Sequence, residues 1–220
     1  MKINANVLML AGKIVSIKQA YAYENENFYE MMIEVDRRSD TKDILPVIMS
    51  GKLMFRNDVQ VGNYITLEGE LRMANHTENG CRNIYTFGYV KDFAIIQEDD
   101  LQYISERNCV SLEGFVCKEP RYRQTTLSNR YITDLLIANN RPNNKSFYIP
   151  CIAWGITAKM ASKFHVGDKV LLEGRFQSRR YKKDPLNGKP NDYSVQEVSI
   201  TNIMLAEENT TENQANKEIA

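Results

Sequence analysis

The segment FYIPCIAW, Phe147 to Trp154, sorts into two faces if it runs as a β-strand. Tyr148, Pro150, Ile152 and Trp154 then share one side, and Phe147, Ile149, Cys151 and Ala153 the other. A second segment, Lys169 to Tyr181, divides the same way, provided the bend at Gly174 does not switch register. One of its sides carries Lys169, Leu171, Glu173, Arg175, Gln177, Arg179 and Tyr181, mostly polar and basic toward its end. Flat rings beside a row of cations are the chemistry of single-stranded nucleic acid binding. Bases stack on the rings at about 1–3 kcal/mol per base, and every base has a face to stack. Phosphates meet the cations in a term that depends on salt and not on sequence. The runs PRYR (Pro120 to Arg123) and RRYKK (Arg179 to Lys183) extend the candidate set to Arg121, Tyr122, Arg123, Arg180 and Lys182. Each residue also has a plainer use. Trp154 could cap a barrel core, the tyrosines could decorate a strand surface, and RRYKK could be a solvated loop.

Other chemistries lack their residues. No GxxxxGK[ST], HExxH or GxSxG pattern occurs. Asp99-Asp100 falls in a polar stretch where paired carboxylates are expected to be solvated. The four cysteines have no CxxC spacing, and only His76 and His165 could join them on a metal. The expectation is therefore no enzyme, no metal and no cofactor, with free thiols suited to a reducing cytoplasm. No run of about 18 apolar residues appears, and the first residues lack a secretion-signal pattern.

The elements that must position these residues come from a repeat. NVLMLAG (Asn6 to Gly12) returns as NCVSLEG (Asn108 to Gly114), displaced by 102. Tyr29, Met31, Ile33 and Val35 alternate as Tyr131, Thr133, Leu135 and Ile137 do, read at the same offset. LPVIMSG (Leu45 to Gly51) returns as IPCIAWG at 104, and VGNYITLEGEL (Val61 to Leu71) as VGDKVLLEGRF at 105. In the second copy strands are expected near 108–119, 129–140, 146–154, 168–181 and 192–204, with a helix over 156–164. The glycine inside each LEG triplet marks a bulge or bend in the fourth strand. Five strands with a helix between the third and fourth describe the OB fold, although periodicity alone leaves SH3-like and other small barrels open. The predicted class is thus all-β: two tandem five-stranded Greek-key barrels at residues 1–96 and 108–206, a linker at 97–107 and a disordered tail at 207–220.

At that point the second copy resembles the bacterial single-stranded DNA-binding proteins. YIPCIAWG is similar to their third strand entering its helix, VGDKVLLEGRFQSRRY to their fourth strand, KEPRYRQTTLSNR to their first hairpin and YSVQEVSI to their last strand. The first copy resembles them more weakly, through VGNYITLEGEL, and the tandem layout is similar to that of some clostridial-type members. The resemblance implies single-stranded DNA as partner, stacked on Tyr148, Trp154 and Tyr181, with Arg123 at a basic hairpin position. It implies sequence-independent binding that protects DNA in replication, recombination and repair. It also implies a homodimer presenting four barrels. The acidic, aromatic-tipped tail by which members recruit replication and repair proteins has no counterpart in KEIA (Lys217 to Ala220). An OB-fold adaptor for protein or RNA is the alternative.

The two copies differ in charge. Residues 1–107 hold 12 Lys/Arg against 16 Asp/Glu, and residues 108–206 hold 15 against 8. At the offsets above, Tyr148, Trp154 and Tyr181 fall on Ile44, Ser50 and His76. The second barrel is therefore expected to carry most of the affinity and the first to have a degenerate site, unless it uses other rings such as Tyr21, Tyr23 or Tyr85.

Overall fold

The computed structural model describes residues 5–37, 41–55, 58–78, 81–104, 107–125, 129–142, 145–183 and 191–206. Within its strands, the side chains of 76–78, 81–83, 180–183 and 191–193 fall outside the described set. The expected tail at 207–220 also lies outside the described residues.

The first copy forms β1 (Asn6–Tyr23), β2 (Glu26–Asp36), β3 (Lys42–Ser50), the short helix α1 (Gly51–Met54), β4 (Tyr64–Glu78) and β5 (Cys81–Ile96). The second forms β6 (Asn108–Val116), β7 (Arg121–Gln124), β8 (Tyr131–Asn140), β9 (Ser146–Trp154), α2 (Gly155–Ala161), β10 (Lys169–Lys183) and β11 (Asn191–Leu205). Strands pair in the ring β1-β2-β3-β5-β4 back to β1, and β6-β8-β9-β11-β10 back to β6, with β7 added outside β8. In each ring the third and fifth strands run parallel, as a Greek-key closure requires. These are the two OB barrels expected, except that the first strand of the second copy stops at Val116 and β7 resumes as a separate hairpin strand.

Strand pairing corrects one equivalence. Tyr29 pairs with Met49, and Thr133 with Ala153. The second strands therefore match at an offset of 104, not 102, and Tyr29 corresponds to Thr133. A slip of two residues leaves every side chain on its original face, so alternation alone could not detect it.

Alternate strand positions fill each barrel. Leu8, Leu10, Ile14, Met31, Ile33, Leu45 and Ile65 are buried in the first, and Val110, Leu112, Ile137, Ile149, Phe176 and Val198 in the second. Both copies solve one polar problem alike. Asn6 exchanges two hydrogen bonds with the backbone of Leu71 (2.8 and 2.9 Å), and Asn108 does so with Phe176 (2.6 and 2.9 Å). The LEG glycines sit where backbones cross closely. A Cβ would lie 2.2 Å from Tyr89 O at Gly69 and 2.4 Å from Ser199 O at Gly174. The irregularity beside Gly174 skips Thr201 on β11, not a residue of β10, so the faces of β10 do not switch.

The barrels join edge to edge. β1 pairs antiparallel with β6 from Asn6↔Leu112 to Leu10↔Asn108, making one continuous sheet. Within the expected linker Glu98–Tyr103 forms a 3-10 turn, Leu101 is buried, and Asp100 accepts a hydrogen bond from Gln97 N at 2.8 Å. A hydrogen bond to Glu98 ties Tyr64 to this turn and pushes its hydroxyl up to about 12.

Two carboxylates bind the barrels together. Asp43 on β3 is fully buried and accepts from Arg37 Nε (2.8 Å), Ser178 N (3.0 Å) and Arg175 Nη2 (3.3 Å). Glu70 on β4 is 1 % exposed and meets Arg72 (2.8 Å), Lys91 (2.6 Å) and Arg141 of the second barrel (2.7 Å). Burial pushes the Glu70 carboxyl up, but the hydrogen bonds from Lys91, Arg72 and Arg141 hold it below the usual carboxylate range. Because its folded value is depressed, its stabilisation is complete above the unfolded value of about 4.3 and is lost as pH falls through the folded one. Glu70→Gln is expected to cost about 1–3 kcal/mol at neutral pH, a modest figure because Lys91 is half-exposed. It should also flatten the acid limb of stability below about pH 4.3. Denaturant unfolding across a pH series checks this, and an unchanged acid limb would contradict it.

Candidate nucleic-acid interface

On β9 the inward side chains Ile149, Cys151 and Ala153 are buried, and burial raises the Cys151 thiol well above its ordinary value. On the outward side Tyr148 is 42 % and Trp154 36 % exposed, with the buried Ile152 between them. Trp154 is therefore not enclosed as a core cap. It ends β9 because Gly155 turns the chain at φ +58 into α2, which packs on Ala158 and Ala161. That left-handed backbone favours glycine. Thr133 Oγ1 donates to Ala158 O at 2.7 Å and anchors the helix under the site.

The β7–β8 hairpin stands beside β9. Tyr122 and Tyr131 stack across it with ring centres 5.3 Å apart and planes 10° from parallel, both rings exposed. Tyr131 pairs with Gln124 and Tyr122 with Thr133, so the two rings meet diagonally. Arg123 is held by Asp134 through two hydrogen bonds, 2.9 and 3.3 Å. Arg121 and Arg130 are exposed and have no ion pair among the described residues.

On β10 the predicted face holds, but its cations are engaged. Arg179 makes two hydrogen bonds to the buried Glu197, which also accepts from Gln177 at 3.0 Å. Arg175 turns to Asp43 of the first barrel. Tyr181 pairs with Tyr193 along the backbone. The side chains of Arg180, Tyr181 and Lys182 lie outside the described residues.

An open cleft of about 960 Å3 lies between the barrels. Trp154, Arg130, Gln177 and Arg179 line one wall, and Arg37 and Lys42 of the first barrel belong to the other. Sequence reasoning missed Tyr131, Arg130 and this far wall. Tyr131 was legible as an aromatic flanking the hairpin, whereas the wall depends on how the barrels dock. Among the described residues no group of three His, Cys, Asp or Glu could hold a metal ion. No helix there is long and apolar enough to cross a membrane.

The whole chain is similar in fold to two crystal structures of the single-stranded DNA binding protein from Thermus aquaticus. A deletion mutant matches with a TM-score of 0.72 at 17% identity, covering 95% of this chain and 98% of that one. The wild-type protein matches with 0.72 at 16%, covering 94% and 95%. No curated protein sequence matches. The model of the single-strand binding protein family matches residues 107–216, half of the chain and all of the barrel that carries Tyr148 and Trp154. The chain thus belongs to the single-strand binding protein family and binds single-stranded DNA.

Proposed function

We propose that the protein coats single-stranded DNA regardless of sequence and without altering it, protecting it in replication, recombination and repair in the cytoplasm. The observation that carries this reading is the pair of outward rings on β9, Tyr148 and Trp154, with Arg121 and Arg130 on the side of the β7–β8 hairpin that is in register with Trp154 and the exposed Tyr122–Tyr131 stack on its other side. Bases stack on the rings while Arg121 and Arg130 meet phosphates. Arg123, fixed by Asp134, keeps N–H groups to spare for the same use, and Arg179 is held beside the track by Glu197. Gln177 shares that Glu197 anchor, and Tyr181, Arg180 and Lys182 extend the track along β10. Arg175 is assigned to the barrel contact instead, since it faces Asp43. Fluorescence anisotropy with labelled oligo(dT), duplex DNA and oligo(U) tests the reading. Tight binding to oligo(dT), weak binding to duplex and affinity falling with salt are expected. Equal preference for duplex, or no salt dependence, would overturn it, and preference for oligo(U) would move the assignment to RNA.

The chain pairs with a second copy through the outer face of the continuous sheet. That face exposes Val7 and Met9 on β1, Leu171 on β10 and Met204 directly opposite Leu171 on β11. Apolar side chains grouped on one sheet face are what an interface between copies buries. Two chains would present four barrels. Sedimentation equilibrium should give twice the chain mass of 25.4 kDa. A single-chain mass at micromolar concentration would contradict the pairing.

A further inference from the structure

Among the described residues three carboxylates are buried, those of Asp43, Glu70 and Glu197. Asp43 and Glu70 each meet an arginine of the other barrel, which accounts for them at the seam. Glu197 bonds within its own barrel. It accepts from Arg179 Nε at 3.0 Å, from Arg179 Nη2 at 3.2 Å and from Gln177 Nε2 at 3.0 Å.

Strand register puts this carboxylate on the face that carries the rings. β11 runs parallel to β9 with Ser199 beside Ile152, and Glu197, two residues earlier, shares that side. On β10 Gln177 stands directly opposite Glu197, and Arg179 follows two residues on. Glu197 itself is buried, while Gln177 and Arg179 line the open cleft with Trp154.

The fold does not require a charge at this position. Gly69 pairs with Val90, and Gly174 with Ile200, which aligns β4 and β5 with β10 and β11. Where the second barrel has Glu197 the first has Phe87, also buried, and where it has Gln177 and Arg179 the first has Arg72 and Ala74. A buried ion pair is often no better for stability than apolar side chains of similar volume. The pair is thus confined to the barrel whose third strand carries Tyr148 and Trp154, and its effect falls on that face.

We propose that Glu197 is an internal counter-charge that attenuates single-stranded DNA binding by occupying Arg179 in the place of a phosphate. The inference rests on the reading that the face with Tyr148 and Trp154 binds DNA. A phosphate approaching Arg179 competes with a carboxylate already bonded to two of its N–H groups. Arg179 is thereby removed from the cations whose phosphate contacts release counter-ions. The strand is held by stacking and by cations such as Arg121 and Arg130, and it leaves more readily than the number of arginines on this barrel would suggest.

The test is Glu197→Gln in the full chain, which removes the charge and keeps the shape. Oligo(dT) binding is followed by anisotropy across a salt series, below the melting transition of every variant. Glu197→Gln should bind more tightly, and its plot of log K against log salt should steepen by about 0.7, one phosphate contact. With the two lines meeting near 1 M salt, the gain is about eightfold at 50 mM and about threefold at 200 mM. Asp99→Asn, which takes one charge from the linker turn, should change neither quantity and so separates local from overall charge. Should Glu197→Gln not fold, Glu197→Leu, which fills the site with an apolar side chain as Phe87 does, gives the same reading. Unchanged or weaker binding, or a slope that does not steepen, would overturn the counter-charge. Failure of the unmodified chain to bind oligo(dT) at any salt would instead overturn the DNA reading on which it rests.

Discussion

Replacing Trp154 and Tyr148 together by alanine is expected to lower affinity for oligo(dT) by about 2–6 kcal/mol, thirtyfold at the least. Each ring stands partly exposed on the outward side of β9, so each can lose one stacked base. Folding should survive, because the inward residues Ile149, Cys151 and Ala153 hold the strand and neither ring is in the core. Calorimetric melting separates the two effects. An affinity loss with an unchanged transition is the predicted pair of results. Unchanged affinity would assign the DNA track elsewhere on the barrel.

Asp43→Ala is expected to be the most destabilising single change, at about 3–5 kcal/mol. Asp43 is fully buried, and its removal strands Arg37, Arg175 and the backbone N–H of Ser178 at the seam. For a chain of this size each kcal/mol moves the melting temperature by roughly 2–4 °C, so a drop of about 6–20 °C should be seen. The loss falls on the contact between β3 and β10, which sets the cleft beside Trp154. Long-oligomer binding should therefore weaken more than short-oligomer binding. A shift of less than about 2 °C would mean that the edge pairing of β1 with β6 holds the barrels without Asp43.

Some of this was written in the sequence and some was not. The faces of β9 and β10 were legible because alternation is a local property, and the extra residue Thr201 on β11 left β10 in phase. The repeat exposed two barrels because their cores and their LEG glycines answer the same packing problem twice. The true match of β2 with β8 was hidden, since a two-residue slip preserves the pattern it was read from. Hidden too were the partners of the arginines. Arg175 and Arg179 lie on one face of one strand, yet Asp43 of the other barrel holds the first and Glu197 of the next strand holds the second. Asp43 is 132 residues from Arg175 along the chain, beyond any local pattern. Tyr85, Phe87 and Tyr89 alternate visibly in the sequence. Only the pairing of β5 shows that they take the side opposite the buried Thr86 and Val90, with Tyr89 beside Phe28 and Arg72.

The central claim is that Trp154 stacks a base of single-stranded DNA, and the chain has only one tryptophan. Titrating its fluorescence with oligo(dT) at low and high salt, with duplex DNA as control, tests the claim directly. Strong quenching by oligo(dT), little response to duplex and weaker binding at high salt are predicted. Binding without quenching would contradict the role of Trp154.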